Sequence, residues 1–336
     1  LSLHNTKMEF FDYQYYLEQN PDLRHLNAPE AYYHYINNGK HENRICKKTP
    51  INDITNITIV LHLFKTNLWD EMTTYINNVK RVFSRVHILV TIPLDHPIET
   101  TIKKQYTDAI VIPVENRGVD VLPFIISVQY IRKHNIPTDF ILKMHTKITG
   151  NTRDKLYNWR QELLGPITDY DNLLILQQLF QRVDNIGCVQ AQKCCVPKTI
   201  DSEYKYNLLG IRHICKTFPH VEESWSDFNA GNMFWINNKV LDEYLTEPLI
   251  EFLVPKFREG KPPCNFTGPY VEYICERLFT GNFCFKKKNI LVNEYPICER
   301  ALFFSQTPAC YQPKVFSIYK PEEQMELTGC FPKPKV

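Results

Sequence analysis

The chain has 336 residues, of which 43% are apolar and 23% are charged, a composition typical of a globular protein. Its formal net charge of +2 is too small to indicate a nucleic-acid-binding protein. No run approaches the roughly 20 apolar residues of a membrane-spanning helix, and the first residues lack the apolar core of a signal peptide. We therefore expect a globular protein without a membrane span and without a nucleic-acid partner.

The 11 cysteines are scattered along the chain, and none of them forms a C-x-x-C pair. An odd and scattered set differs from the disulfide framework of a short secreted protein. We therefore expect reduced thiols and a cytoplasmic protein.

Residues 8–46 have the pattern of a small helical module. Aromatic residues recur at helical spacing, a proline break follows, and a second helix over 28–37 ends near Gly39, which suits a C-cap. We interpret this segment as a helical hairpin with an aromatic seam, followed by a linker over 47–53. It is either a packing appendage or a unit that docks a partner, binds an acceptor or supports an oligomer.

From residue 57 onward, apolar strands alternate with amphipathic helices. Strands are predicted over 57–64, 86–92, 109–114 and 140–144, with helices over 69–83, 97–106 and 121–134 between them. This alternation favours a mostly parallel sheet covered by helices on both faces.

Beyond residue 145 the alternation of strands and helices becomes less regular. Helices are predicted over 158–164, 172–183, 239–245 and 269–279, strands over 186–190 and at the end of 229–236, and irregular chain over 193–219 and from 307 onward.

A polar cluster of His145, Thr146 and Lys147 follows the strand over 140–144. Strand alternation places Lys143 and His145 on one side of the sheet. An imidazole, a hydroxyl and an ammonium together could bind a phosphate, and the imidazole could bind a metal. The alternative is a solvated strand end.

A second polar loop follows the strand over 109–114. Asn116 and Gly118 suit a tight turn, and Arg117 could neutralise a phosphate while Asp120 or Asn116 bonds to base or ribose hydroxyls. Asp120 could instead be the N-cap of the next helix. Because open α/β sheets bind ligands beyond the carboxyl ends of their strands, the two loops predict a nucleotide-sugar site.

Further candidates lie at the end of the first strand and in the loop before residue 236. His62 could line the same cleft, or it could be a core histidine. Gly231 would allow the backbone to approach a ligand closely, and Asn229 lies in the same loop. Trp235 could stack on an acceptor sugar, although such a residue more often belongs to the core.

Carboxylates near the loop and on the predicted helix over 269–279 are candidates for catalysis. Glu272 and Glu276 are four residues apart and share one helix face, so they form either a surface charge pair or a general base at a sugar hydroxyl. Asp227 is a third catalytic candidate.

Several other enzyme classes lack support because their motifs are absent. The sequence contains no HExxH, no Cys/His zinc spacing, no P-loop, no G-x-G-x-x-G and no G-x-S-x-G. These absences count against a zinc protease, an ATPase, a dehydrogenase with a nucleotide-binding glycine loop and an α/β-hydrolase.

Five motifs in one order resemble the rhamnan synthesis protein F family: residues 116–124, 141–147, 159–160, 230–236 and 276–279. At the N-terminus, the segments over 11–23 and 35–40 resemble a small helical module that accompanies glycosyltransferases in giant viruses of the mimivirus kind and in some bacteria.

The resemblance implies a glycosyltransferase of polysaccharide biosynthesis with a GT-A-like, Rossmann-type α/β fold. It implies a UDP- or dTDP-linked donor and a polysaccharide or glycoprotein glycan as acceptor. The transferred group would be a hexosyl or deoxyhexosyl group, including rhamnosyl. The domains implied are a module with its linker over 1–50 and a transferase domain over 51–336. The latter divides into a nucleotide-binding half (51–150), an acceptor half (151–306) and a tail (307–336).

GT-A enzymes hold Mn²⁺ or Mg²⁺ with a D-x-D motif, and this chain has His145-Thr146-Lys147 at the equivalent place. His145 could still be a metal ligand, or Lys147 could replace the charge of the metal. The resemblance also implies that Asp120 meets the donor base or ribose and that Glu276 or Glu272 is the base. Two rival functions remain: a non-catalytic nucleotide-sugar or glycan-binding protein, and an assembly protein that acts through its N-terminal hairpin.

Overall fold

The structure is a computed structural model that describes residues 11–39, 42, 44–46, 55–146, 159–196, 204–224, 227–259, 270–292 and 316–319. Its strands are β1 (Asn56–His62), β2 (Arg85–Pro93), β3 (Ile110–Val114), β4 (Phe140–His145), β5 (Ile186–Ala191), β6 (Cys195–Val196), β7 (Phe228–Asn229), β8 (Phe234–Asn237), β9 (Lys288–Val292) and β10 (Phe316–Tyr319).

The α-helices of the described part are α1 (Tyr13–Gln19), α2 (Ala28–His34), α3 (Trp69–Val82), α4 (Ile98–Gln105), α5 (Val121–Lys133), α6 (Trp159–Thr168), α7 (Tyr170–Arg182), α8 (Tyr204–Thr217), α9 (Asn238–Tyr244), α10 (Glu247–Leu253) and α11 (Val271–Arg277). A π-helical turn over Tyr35–Gly39 continues α2, and another over Leu278–Asn282 continues α11.

An eight-stranded sheet, in the order β10-β9-β5-β8-β4-β1-β2-β3, forms the centre of the molecule. β1 pairs in parallel with β2 and β4, β2 with β3, and β5 with β9, whereas β8 runs antiparallel between β4 and β5. The predicted mostly parallel α/β fold is confirmed.

The chain builds β1, β2 and β3 outward in one direction and then returns through α5 to place β4 on the other side of β1. The strand order therefore reverses between β1 and β4. Beyond the carboxyl ends of these two strands lies the crevice in which open α/β sheets bind ligands.

Two apolar clusters cover the two faces of the sheet. α3 buries Met72, Ile76 and Val79 at helical spacing and packs with α7 in the first cluster. α5 and α11 belong to the second cluster, on the opposite face. Lys143 lies on this second side, next to Phe124 and Phe234. The predicted alternation along β4 is thus confirmed.

The N-terminal module packs against the first cluster. Its aromatic seam is built from Phe11, Tyr16 and Tyr35, whose ring centroids lie 5.2 to 5.5 Å apart. The Tyr35 hydroxyl donates a hydrogen bond to the carboxylate of Asp171 at the start of α7. Asn27 starts α2 with a capping box. The module and the sheet therefore share one buried interior.

Two helices and four short strands of the described part were not predicted from the sequence. α8 and β6 lie in the stretch over 193–219 that was predicted to be irregular, β10 lies in the tail, and α10, β7 and β9 were also missed. α8 carries a glycine and many polar residues, so its helix preference is weak, and burial of Ile211 and Ile214 in the second cluster stabilises it. β9 is short and pairs with β5, a contact that local periodicity cannot predict.

None of the helices in the described ranges combines the length and apolarity that crossing a bilayer requires.

Candidate active site

His62 and His145 end β1 and β4 and are register partners across this pairing. The Thr146 N–H donates to the His62 carbonyl at 3.1 Å, and the Thr146 hydroxyl accepts from the Lys65 N–H at 2.8 Å. His145 and Thr146 are both buried. The alternative of a solvated strand end is therefore wrong for these two residues.

Lys143 is the central charged group of this region, and the sequence analysis assigned it no role. Its side chain is 1% exposed. The ammonium donates to Asp120 Oδ2 at 2.6 Å and to the Asn232 carbonyl at 2.7 Å. A lysine inside an otherwise apolar strand needs such partners, because an uncompensated buried charge is strongly destabilising. That placement within the strand was the signal that could have identified it.

Aromatic rings surround the remainder of the Lys143 ammonium. Nζ lies 5.5 Å from the ring centroid of Phe124 on α5 and 5.7 Å from that of Phe234 on β8. Both distances are within the range of a cation–π interaction. The charge is thus in contact with one carboxylate, one carbonyl and two rings from four segments: the loop after β3, the loop before β8, α5 and β8.

Asp120 occupies the N-cap position of α5, but its side chain makes no capping hydrogen bond. Its Oδ2 instead accepts from Lys143 and from Asn232 Nδ2, the latter at 2.6 Å, and lies 3.8 Å from His145 Nε2. The capping alternative is therefore wrong. Asp120 joins the loop after β3 to β4 and to the loop before β8.

Positive φ angles at Gly118 (66°) and Val119 (54°) turn the chain just before Asp120. A Cβ at residue 118 would lie 2.5 Å from Leu122 Cβ and 2.9 Å from Phe257 Cδ1, so the close packing also requires glycine. This confirms the predicted tight turn at Gly118.

Arg117 connects the same loop to the segment after α10. Its guanidinium donates to the carbonyls of Phe257 at 3.0 Å and Val254 at 2.9 Å, and the Gly118 N–H donates to the Arg258 carbonyl at 2.9 Å. These bonds fix the loop against the protein. They engage Nε and Nη2 of the guanidinium that was predicted to neutralise a phosphate.

A left-handed turn at Gly231 and Asn232, with φ angles of 104° and 61°, leads into β8. The Gly231 N–H donates to Glu276 Oε1 at 2.8 Å, and the Gly231 carbonyl lies 2.8 Å from His145 Nε2. Because a carbonyl can only accept, His145 Nε2 carries the proton of this bond. β4, α5 and α11 therefore all contact this turn.

The two carboxylates of α11 face the protein interior rather than solvent. Glu272 Oε1 accepts from the Arg258 N–H at 3.2 Å, and Glu276 Oε2 pairs with Arg277 at 3.1 Å. Glu272 is 4% exposed, whereas the Glu276 side chain is 16% exposed. The alternative of a surface charge pair is wrong, and Glu276 is the more accessible of the two.

Three buried polar atoms around the turn and α11 have no hydrogen-bond partner among the described residues. They are Glu272 Oε2, Asn229 Nδ2 and Asn232 Oδ1. An unpaired buried polar group costs about 1–3 kcal/mol. A ligand that carries hydroxyl groups, or ordered water, could satisfy these atoms.

The His62 imidazole is neutral at physiological pH. Burial lowers its pKa from 6.5 to about 4, the nearby Lys143 ammonium acts in the same direction, and the Asp120 carboxylate opposes both. Its Nδ1 lies 2.9 Å from the Thr91 hydroxyl. His62 therefore adds a neutral polar group to this edge of the sheet.

A family model described as "Rhamnan synthesis protein F" matches residues 22–255. The match covers more than two thirds of the chain and includes His62, Asp120, Lys143 and Gly231. The chain belongs to the rhamnan synthesis protein F family. The match begins inside the N-terminal module and ends before α11, so the resemblance of the module and the roles of Glu272 and Glu276 stay predictions.

Among the relatives of this family member is the "Uncharacterized protein WxcX" of Xanthomonas campestris pv. campestris, found in strain B100 and in a second strain. Each is 26% identical over 185 residues, which are 54% of this chain and 26% of the relative. The chain thus spans about a quarter of the length of these curated relatives.

Most of the predicted site residues share the edge of the sheet. The residues connected there through hydrogen bonds or strand pairing are His62, Gly118, Asp120, His145, Asn229, Gly231, Glu272 and Glu276. Asn116 is exposed on the loop, and Asp227 is partly exposed immediately before β7. Lys147 lies outside the described residues.

Trp235 does not have the position that was predicted for an acceptor platform. Its side chain is fully buried, packs against Phe83 and Phe180, and donates from Nε1 to the Ile167 carbonyl at 2.9 Å. Sugar stacking needs an exposed ring face, so we remove Trp235 from the acceptor residues and assign it to the core.

The described residues do not form a divalent-metal site. No group of three His, Cys, Asp or Glu side chains among them is arranged to hold a metal ion. The proton on His145 Nε2 points to the Gly231 carbonyl, and the nearby Asp120 carboxylate is compensated by Lys143. The predicted metal at His145 stays a prediction.

The predicted cationic character of the cleft also needs correction in this part of the chain. Lys143 is paired with Asp120, Arg277 with Glu276, and Arg117 with backbone carbonyls. The basic groups described at this edge thus organise the protein itself.

Proposed function

We propose that this protein transfers a sugar from a nucleoside diphosphate donor to a glycan acceptor on a GT-A-like version of its α/β fold. The contact of Asp120 with Lys143 and Asn232 is the observation that carries the proposal. It joins the loop after β3, the strand β4 and the loop before β8 at the switch point of the sheet. These three segments contain motifs that are widely separated in sequence.

The donor side of the site is formed by the loop over 115–120 and the end of β4. We expect a UDP- or dTDP-linked sugar, with its nucleoside near Asn116 and Asp120 and its diphosphate near His145 and Lys147. Negative charge grows on the leaving diphosphate, and groups already oriented toward it stabilise the transition state. The transferred sugar is a hexose or a deoxyhexose such as rhamnose.

The acceptor side is formed by the turn at Gly231 and by α11. Glu276 is our candidate base because its carboxylate touches the turn at Gly231 N and its side chain retains some exposure. An inverting displacement needs such a base within hydrogen-bond reach of the acceptor hydroxyl. Asp227, which is partly exposed, is the second candidate.

The unpaired polar atoms of Glu272, Asn229 and Asn232 support a hydroxyl-rich ligand in preference to an apolar one. A polyol can donate to a carboxylate or carbonyl oxygen and accept from an amide NH₂ at the same time. We therefore propose a polyol, either the acceptor glycan or the sugar of the donor, as the ligand on this side of the site.

The test is a transfer and donor-hydrolysis assay with a panel of UDP-, dTDP- and GDP-sugars, run with Mn²⁺, with Mg²⁺ and with EDTA. We expect turnover of a UDP- or dTDP-sugar that persists in EDTA, because His145-Thr146-Lys147 stands where GT-A enzymes carry the metal-binding D-x-D motif. Loss of turnover in EDTA would refute metal-independent transfer, and absence of turnover under every condition would refute the glycosyltransferase proposal.

A variant pair separates a base from a merely structural carboxylate. Glu276→Gln retains a side-chain oxygen that can accept from Gly231 N–H but cannot take a proton. We expect kcat to fall by about 100-fold or more, within the usual size of general-base effects. Glu251→Gln on α10, which changes an exposed carboxylate, is the matched control. If Glu276→Gln has normal activity, Glu276 is not the base and Asp227 becomes the candidate.

A non-catalytic nucleotide-sugar-binding function is the second candidate, and the pairing of Lys143, Arg117 and Arg277 within the protein favours it. A binder does not need uncommitted positive charge to stabilise a leaving group. Thermal stabilisation by a nucleotide sugar without turnover, and without any effect of Glu276→Gln, would support this alternative.

A further inference from the structure

We infer that Lys143 is the positioning residue of the site and that its buried ammonium sets the left-handed turn at Gly231 and Asn232. The structural part of this inference rests on the contacts of Lys143 alone. Its meaning for catalysis rests on the proposed glycosyltransferase function.

Lys143 reaches the turn by two routes. Directly, its ammonium donates to the Asn232 carbonyl at 2.7 Å. Indirectly, it holds Asp120 Oδ2 at 2.6 Å, and the same oxygen accepts from Asn232 Nδ2 at 2.6 Å. Both the backbone and the side chain of Asn232 are thus connected to one charge.

The turn needs external support because its backbone is unusual. Gly231 and Asn232 have consecutive positive φ angles, and the second residue is not glycine. Residues other than glycine seldom adopt this conformation; asparagine does so more readily than most, at a cost that surrounding contacts offset. The bonds from Lys143, His145 and Glu276 to the turn supply those contacts.

Stability alone does not account for an ion pair at this position. Replacing a buried ion pair by apolar residues of similar volume is often neutral or stabilising, whereas removal of one partner is costly. A fully buried lysine beside Phe124 and Phe234 could be replaced by methionine in terms of volume. We therefore assign the pair a role in selecting one conformation of the turn, which carries the bond to Glu276.

The experiment uses the full chain with the double substitution Lys143→Met and Asp120→Asn, which leaves no uncompensated charge. Amide hydrogen exchange is followed by mass spectrometry in peptides that cover residues 229–233. In the wild type, the N–H groups of Gly231, Asn232 and Met233 are bonded to Glu276, Asn229 and Asn229, respectively. In the variant we expect amide exchange over residues 229–233 to be about tenfold or more faster than in the wild type. The exchange rates of β1 and β2 should not change.

The control is a double substitution in an ion pair that lies away from the turn. Arg132 on α5 pairs with Asp242 on α9 at 3.2 Å, so Arg132→Met with Asp242→Asn removes an ion pair that is more exposed and lies away from the turn. Exchange over 229–233 should equal that of the wild type in this control. Unchanged exchange in the Lys143 and Asp120 variant would overturn the inference.

If the double variant does not fold, Asn232→Gly provides a second test. Glycine tolerates the positive φ angle and removes only the side-chain bond to Asp120, so Lys143 and Asp120 stay paired. We expect faster exchange over 229–233 than in the wild type, and equal exchange would count against the inference.

Kinetic measurements then test whether the turn positions groups that take part in catalysis. In the folded double variant we expect kcat for sugar transfer to fall about tenfold or more, with a smaller change in the KM of the donor. A normal kcat together with fast exchange would show that the turn does not position reacting groups. If the wild type itself lacks turnover, the proposed function fails, whereas the exchange experiment still decides the role of Lys143.

Discussion

His62 and Thr91 are register partners in β1 and β2, and the imidazole Nδ1 of His62 lies 2.9 Å from the Thr91 hydroxyl. The histidine is buried at the carboxyl end of β1, where the Asp120 carboxylate raises its pKa and the Lys143 ammonium lowers it. Its protonation therefore depends on burial and on these two charges.

We predict that His62 makes folding stability depend on pH. Its pKa is about 4 in the folded protein and 6.5 in the unfolded chain, so the unfolded chain binds the proton first as pH falls. The stabilisation is complete above pH 6.5 and is lost progressively down to pH 4. Between pH 7 and pH 5 this linkage removes about 2 kcal/mol of unfolding free energy.

Urea denaturation at both pH values measures this loss, with His62→Gln as the comparison. The variant has no titrating group at this position, so its stability should fall by about 2 kcal/mol less than that of the wild type over the same interval. Equal losses in the two proteins would contradict a neutral, buried His62.

Gly231→Ala should disrupt the site. The φ angle at this residue is 104°, and a new Cβ would lie 2.6 Å from Leu163 Cδ1 and 2.7 Å from Trp159 Nε1. We expect a loss of at least about 2 kcal/mol in thermal or chemical denaturation, and loss of transfer.

Gly165→Ala is the matched control for that substitution. Gly165 lies within α6, and a Cβ there would have Gln161 Cγ at 3.8 Å as its nearest neighbour. We expect this variant to be as stable as the wild type or up to about 1 kcal/mol more stable. A Gly231→Ala variant with the same stability as Gly165→Ala would argue against the strained turn.

Trp235→Phe tests the assignment of this residue to the core. The substitution removes the bond from Nε1 to the Ile167 carbonyl and leaves a space beside Phe83 and Phe180. We expect the free energy of unfolding to fall by about 1–3 kcal/mol, with the acceptor KM unchanged. A raised acceptor KM at full stability would restore Trp235 to the acceptor site.

Tyr35→Phe should weaken the attachment of the N-terminal module. The Tyr35 hydroxyl donates to the Asp171 carboxylate, and a hydrogen bond to a charged group contributes about 1.5–3 kcal/mol. Limited proteolysis should therefore cleave the module faster in this variant. Tyr33→Phe, which changes an exposed tyrosine, is the control and should behave like the wild type. Equal cleavage rates in the two variants would show that this bond does not hold the module.

Much of the fold could be predicted from local patterns. The strands β1 to β4 and the helices between them were predicted within two residues of their observed ends, because apolar periodicity repeats over short distances. The same periodicity correctly placed Lys143 on the face of β4 that carries His145. Weakly patterned elements such as α8 were missed because packing, rather than sequence preference, stabilises them.

The candidate site was predicted only in part, for a related reason. Gly118, Asp120 and His145 could be placed near one edge because polar loops follow strands in an α/β sheet, whereas Glu276 was proposed through the family resemblance. Their partners could not be inferred. Lys143 bonds to Asn232 across 89 residues of sequence, and Arg117 to Val254 across 137.

By itself the sequence determined the strand and helix alternation, the parallel sheet and the set of polar residues at its edge. Tertiary structure decided which charges are neutralised by other side chains, which carboxylate retains exposure and which aromatic residues are buried. The physical reason is that periodicity acts through neighbouring residues of the chain. The state of a buried charge depends instead on atoms that only the folded chain brings within hydrogen-bonding distance.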